Sequence, residues 1–373
     1  MLSPLLAYLR QTGNLCWKEL LVIFKDPANR AILVVPALLQ ALLFGYGATY
    51  DLTHVPYAVL DQSRAGMSTA LMARVDGAGP FKRVATLQNP SQIASVIDSG
   101  DALLVLHFPP DFESRLNLGQ GAPLQLILDG RNSTTAGNAA AQVGAIVATF
   151  NASLPGAQPP PVTVQARAWF NPNLESRWNI MPALIASLSM MQVIMLAALS
   201  VAREREQGTF DQLLVTPATP GQIMVGKAVP AILIGLTQST LILGITRLWF
   251  HIPMAGHLMT LYFGLLMFTI AVVGIGLSIS ALAANMQQAM LYTIVLIMPL
   301  MLLSGLATPV RNMPEAFQIA TYANPLRFAI ELVRRVYLEG ATLAQVWHGF
   351  IPLFCVAVVT LPLAAWLFRN RLV

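Results

Sequence analysis

Arg203-Glu204-Arg205-Glu206 is the densest short run of charge in a chain that is only 10% charged. It stands between two apolar runs long enough to cross a bilayer. A charged side chain at mid-bilayer costs about 2.5–3.5 kcal/mol or more, so this run is expected outside the hydrocarbon. Gly208 permits a sharp change of chain direction. Thr209 is placed to cap a short helix over Phe210, Asp211, Leu213 and Leu214, which Pro217 and Pro220 would stop. The expected product is a stiff polar knob; the plain alternative is a solvated loop that only keeps topology.

The remaining reactive residue types do not assemble into a site. Gly221-x-x-x-x-Gly226-Lys227 matches a phosphate-binding loop, but Ala228 stands where the magnesium-ligating Ser or Thr belongs, and no strand precedes it. His54, His107, His251, His257 and His348 are isolated, and Asp98 and Asp101 flank Gly100 as in a helix-to-strand turn rather than an acid–base pair. Cys16 and Cys355 lie far apart. No catalytic set, metal-ligand set or cofactor-binding set emerges. No Asp, Glu, Lys or Arg lies well inside an apolar run, so the carboxylate or histidine relay of a proton-coupled carrier is missing. The polar groups that remain there (Gln40, Gln192, Gln238, Thr269) read as helix-packing contacts.

The elements that carry these residues follow from hydropathy. The chain has 373 residues, 55% of them hydrophobic, and a mean hydropathy of +0.62, the composition of a multi-pass membrane protein. The net charge of +5 comes from scattered Lys and Arg without a basic stripe, which argues against nucleic acid. Residues 5–24 place Leu5, Leu9, Cys16, Leu20 and Phe24 at helical spacing, an interfacial amphipathic helix ended by Asp26-Pro27. Ala31–Tyr50 is an uncharged first span, read as an uncleaved anchor. Five further spans are expected at Ile180–Ala202, Ile223–Leu248, Leu258–Ala283, Met290–Leu306 and His348–Phe368. In the fourth, Gly264, Gly274, Gly276, Ser278 and Ser280 should let helices approach closely.

Residues 51–179 differ in kind. They hold 17 of the 39 charged residues and no spanning run. Strands are expected at Val55–Leu60, Ala102–His107, Leu124–Leu128 and Val162–Phe170, and helices at Gln62–Arg74, Ser91–Ser99, Pro110–Leu118 and Ser133–Asn151, with Leu154–Pro161 as a linker. That alternation reads as a small α/β domain. The fold class is thus an α-helical polytopic membrane protein of six transmembrane helices, with an α/β domain inserted between helices one and two. Its domains are residues 1–50, 51–179 and 180–373, the last carrying a charged loop at 203–222 and a hairpin at 305–345. Lys and Arg bias, strongest before the first span, puts both termini and the charged loop in the cytoplasm and the α/β domain outside.

Two stretches resemble a known family. Arg203–Thr209 followed by Gln212-Leu213-Leu214-Val215-Thr216-Pro217 resembles the cytoplasmic loop of type-2 ABC exporter permeases. Leu303-Ser304-Gly305-Leu306-Ala307-Thr308-Pro309, then Asn312-Met313-Pro314 and Asn324-Pro325-Leu326, resembles that family's extracellular hairpin before the last span. The layout agrees over the whole chain, nearest to bacterial inner-membrane permeases with a large periplasmic domain, of the multidrug-export kind. The resemblance implies an ATP-driven exporter subunit moving an amphiphilic or hydrophobic substrate, drug-like or lipid-like, out of the cell. It implies no enzyme in this chain, hydrolysis on a separate ABC ATPase subunit, and a second permease subunit forming a homo- or heterodimer in membrane lipid. It leaves room for a periplasmic adaptor, for which no contact residues are evident. By position it assigns Arg203, Glu204, Arg205, Glu206, Gly208 and Thr209 to coupling with the ATPase, and Ser304, Gly305, Pro309, Pro314, Asn324 and Pro325 to the outer hairpin. The competing reading is a membrane-anchored sensor or binding protein working through its external domain; an intramembrane enzyme is the weakest, for want of a catalytic pair.

Overall fold

The computed structural model describes residues 2–25, 27–47, 52, 54–131, 133–154, 170–171, 175–209 and 219–370. The chain divides into two compact units, residues 1–49 with 168–373, and residues 50–167.

The smaller unit is a four-stranded mixed sheet in the order β2-β1-β3-β4. Its strands are β1 (Val55–Asp61), β2 (Phe81–Leu87), β3 (Leu104–Phe108) and β4 (Gln125–Leu128). β1 runs parallel to β2 and β3, whereas β4 is antiparallel to β3. Helices α3 (Gly66–Asp76), α4 (Ser91–Asp98), α5 (Phe112–Asn117) and α6 (Ser133–Ala152) cover it. The period-two alternation of strands divides the apolar residues between two cores. Tyr57, Val59, Leu104 and Leu106 pack against Leu71, Val75, Phe112, Val143 and Phe150, while Ala58, Leu60 and Val105 pack with Ile93, Val96 and Ile97.

Sequence patterning finds the other three strands and all four helices but misses β2. Only its first and last residues, Phe81 and Leu87, are buried, and Lys82, Arg83 and Val84 are exposed. An edge strand with a mostly exposed face carries no alternation to read. The strand expected at 162–170 falls outside the described residues, apart from Phe170.

One polar cluster ties β1 to β2 and α3. The buried Tyr57 phenol donates to Asp76, which also accepts from and pairs with Arg83. Burial raises the Asp76 pKa, but the hydrogen bonds from Arg83 and Tyr57 outweigh it and hold the carboxyl below its ordinary value. A depressed carboxylate pKa contributes stability that is present above the unfolded value and lost as pH falls through the folded one. Asp76→Asn should therefore make this unit more susceptible to limited proteolysis at neutral pH, and the difference from wild type should shrink on acidification. A constant difference would remove Asp76 from that role.

The larger unit is helical: α1 (Leu2–Lys25), α2 (Pro27–Gly47), α7 (Ser176–Glu206), α8 (Pro220–Gly244, continued by a π-turn over Ile245–Trp249), α9 (Leu258–Leu282), α10 (Met286–Leu302), α11 (Glu315–Ala320), α12 (Pro325–Glu339) and α13 (Leu343–Asn370). Among the described residues, four stretches are long and apolar enough to span: Ser176–Glu206, Gly221–Trp249, Leu258–Leu282 and Leu343–Asn370. Among the described residues, the first expected span corresponds to the apolar segment Leu33–Gly47 of α2, and the fifth to the shorter helix Met286–Leu302. Asn285 caps α10 by accepting from Gln288 N at 2.8 Å, and the chain turns after Leu302. The 17 residues between rise only about 26 Å at 1.5 Å each.

α7 and α9 form the buried centre, and small residues set their spacing. A Cβ on Gly276 would stand 2.6 Å from Ala197 Cβ and 3.0 Å from Ile194 O on α7. Gly274 faces Thr360 on α13 with the same lack of room, and Ser280 Oγ accepts from Val201 N at 3.1 Å. The small residues expected to pack helices in the fourth span do so within the chain. α13 instead leaves Phe354, Val358, Val359 and Trp366 exposed, as a lipid-facing helix does.

Candidate functional site

The charged run ends α7. Gly208 has φ +67°, and the backbone closes around it. Gly208 N donates to Arg205 O at 3.1 Å and Thr209 N to Glu204 O at 3.0 Å. This is the paired bonding of a Schellman cap, in which a left-handed glycine satisfies two of the orphan carbonyls of the last turn. Thr209 thus closes α7; the short helix it was expected to start lies at 210–218, outside the described residues.

The side chains of the run reach four other helices. Glu204 is buried, with Oε1 3.3 Å from Lys18 Nζ on α1 and Oε2 2.8 Å from Lys227 Nζ on α8. Lys227, whose side chain is 3% exposed, also lies 3.2 Å from Glu19 Oε1 on α1 and donates to Ser200 O at 3.4 Å. Arg205 Nη1 donates to Ala281 O at 3.3 Å and Ala283 O at 2.9 Å, at the C-terminus of α9. Glu206 Oε2 accepts from Met286 N at 3.0 Å, at the N-terminus of α10. Each sign suits its helix end, since a C-terminus favours a cation and an N-terminus an anion. Residues 204–206 therefore join the ends of α7, α9 and α10 to α1 and α8 in one polar junction.

The junction also explains the broken phosphate-loop motif. Gly226 lets α8 approach α1, where an added Cβ would lie 2.8 Å from Leu15 Cβ. Lys227 enters the buried ion cluster. One turn earlier, Thr219 and Gln222 form a capping box at the start of α8, and Gln222 Nε2 donates to Tyr8 O at 3.3 Å and Gln11 Oε1 at 3.2 Å. Nothing in the local sequence pairs Lys18, Glu19 or Lys227 with a partner. Lys227 carries a signal, a lone cation inside an apolar helix, but one of its two carboxylate partners, Glu19, is 208 positions away. Among the described residues no three His, Cys, Asp or Glu side chains gather into a group that could hold a metal.

The hairpin residues also converge, at the far end of α10. Ser304 is buried and its Oγ donates to Met301 O at 2.6 Å; Gly305 turns the chain at φ +84°. Pro309 and Pro314 are exposed at the starts of a 3₁₀ turn and of α11. Asn324 caps α12 by accepting from Leu326 N at 3.0 Å, and its Nδ2 donates back to Leu300 O at 2.7 Å. Pro325 sits at the first helical position, where its missing N–H costs nothing. Arg334 was not singled out in the sequence, yet its Nε donates to Asn179 O at 3.2 Å and its Nη1 to Gly305 O at 3.3 Å, joining α12 to the start of α7. Asn324→Ala removes the cap and orphans Leu300 O. It should lower stability by about 1–2 kcal/mol, read as a lower melting midpoint in detergent; an unchanged midpoint would show that the hairpin is not held there.

Residues 31–366 match the family model described as ABC-2 family transporter protein. The chain is 41% identical to the probable multidrug ABC transporter permease YbhR of Escherichia coli over 95% of its own length and 97% of the relative's. It is 27% identical to the probable multidrug ABC transporter permease YbhS of E. coli, over 91% of each chain, and 25% identical to the E. coli inner membrane transport permease YhhJ, over 98% of each. A polytopic helical chain that matches the family model over residues 31–366 belongs to the ABC-2 transporter family.

Proposed function

We propose that this chain is the membrane-spanning permease subunit of an ATP-driven exporter, and that residues 203–209 receive the work of a separate ATPase subunit. The observation that carries this reading is the junction. Five helices end or pass within reach of one charged turn, so a push on that turn moves them together, as packed helices shift as units. In this reading α2 and α10 complete six spans, both termini and the junction face the cytoplasm, and the α/β unit stands in the periplasm. The hairpin through Asn324 and Arg334 closes the outer end. The names of the 41% and 27% identical relatives support a multidrug-type cargo, and an amphiphilic or hydrophobic substrate agrees with spans that hold apolar side chains. A second permease subunit, the same chain or a related one, completes the path.

The test is reconstitution. The chain purified alone should show no ATP hydrolysis. Co-expressed with its ATPase, it should copurify as a complex that moves a fluorescent amphiphile across proteoliposomes only with ATP. Transport by the chain without an ATPase, or cysteine labelling that maps residues 203–209 to the periplasm, would overturn the reading.

A further inference from the structure

Beside the junction, α1 and the end of α7 border a half-open cavity of about 560 Å³, within the range of small-ligand sites. Its wall is graded. Val22 and Ile23 of α1 and Leu196 and Leu199 of α7 form an apolar side, while Lys18 and Arg203 stand at the polar end. The spacing produces this: residues 15, 18, 19 and 22 follow one face of α1, and 196, 199, 203 and 207 follow one face of α7.

The charges do not cancel. Lys18, Lys227 and Arg203 face two carboxylates, Glu19 and Glu204, and those two are engaged by Lys18 and Lys227. Arg203 has no carboxylate partner among the described residues and lines the cavity. Lys18 is half-exposed and can serve a second anion. The surroundings fix the depth. α1 exposes Leu9, Trp17, Val22 and Phe24, as an interfacial helix does when its apolar side chains lie among the upper acyl segments and its cations at the headgroups.

We propose that this cavity is a binding site for an anionic phospholipid of the leaflet in which α1 lies. The phosphate is held by the Arg203 fork with Lys18, and the glycerol end of an acyl chain lies on Val22, Leu196 and Leu199. A guanidinium matches phosphate oxygens bidentately, and the apolar wall excludes a free inorganic anion as the natural occupant. Because Lys18 also pairs with Glu204, the bound lipid touches the junction itself. The inference needs the chain to lie in a membrane but does not need the transport reading, because it is measured on the permease without ATPase.

The test uses full-length permease equilibrated with vesicles of phosphatidylethanolamine alone or mixed with phosphatidylglycerol, followed by native mass spectrometry. Wild type should retain one phosphatidylglycerol per chain in preference to phosphatidylethanolamine. Arg203→Gln should cut that retention about tenfold or more, the loss expected for a charge-assisted contact, and Leu199→Trp should abolish it by filling the apolar side. Arg311→Gln, on the exposed turn after α10, should change nothing. Melting midpoints accompany each variant, and Lys18→Gln replaces Arg203→Gln if the latter unfolds. Equal retention of the two lipids by wild type overturns the proposal. So does unchanged retention in folded Arg203→Gln.

Discussion

Lys227→Met will destabilise the helical unit by about 3–5 kcal/mol, the cost of breaking a buried ion pair from one side. Lys227 is almost completely buried and lies 2.8 Å from Glu204 and 3.2 Å from Glu19. Without it Glu204 keeps Lys18, but Glu19 is left largely buried with no other ion partner among the described residues. The same physics predicts rescue. Replacing a whole buried pair by apolar or neutral groups is often neutral, because the desolvation cost disappears with the attraction. Lys227→Met combined with Glu19→Gln should therefore melt well above Lys227→Met alone and near wild type, since the Lys18–Glu204 pair survives. Thermal unfolding of the purified permease in detergent measures both. A single variant as stable as wild type, or a double variant no better than the single, would mean that the cluster is solvated and carries no strain between α1, α7 and α8.

Glu206→Ala will lower substrate-stimulated ATPase activity of the assembled complex about tenfold, corresponding to about 1.4 kcal/mol of lost coupling, with little loss of stability. Glu206 is exposed, and α10 keeps its Asn285 cap when the bond from Met286 N is removed. The fold does not depend on this contact, but the link from the end of α7 to the start of α10 does. Adding Glu204→Ala, which also cuts α7 from α1 and α8, should abolish stimulation while the chain still inserts. Basal hydrolysis by the ATPase subunit and membrane content of the permease are measured alongside. Stimulation that persists in the double variant would move the working part of the molecule to the α/β unit, the sensor reading.

Much of this was legible in the residues. Four long apolar runs announce helices near their expected places because hydrophobicity is local and additive along a helix. The α/β alternation likewise places α3 to α6 and three strands. Edge strand β2 escaped because Lys82, Arg83 and Val84 face outward and leave no period-two signal. That the run is polar and that Gly208 turns the chain after it both follow from single-residue physics.

What the run does was not legible. Read as a string, Arg203 to Glu206 is a knob with its charges in water. In three dimensions Glu204 is buried between two lysines, Arg205 closes α9 and Glu206 opens α10. Lys227, one half of a false phosphate loop, becomes the centre of the cluster. The sequence by itself determined which segments are apolar, where they stop and which turns need glycine, because those properties depend on near neighbours. Tertiary structure alone decided which charges meet, because Lys18 and Glu204 are 186 positions apart and Glu19 and Lys227 are 208 apart. No local period records a pairing that exists only once the helices have packed.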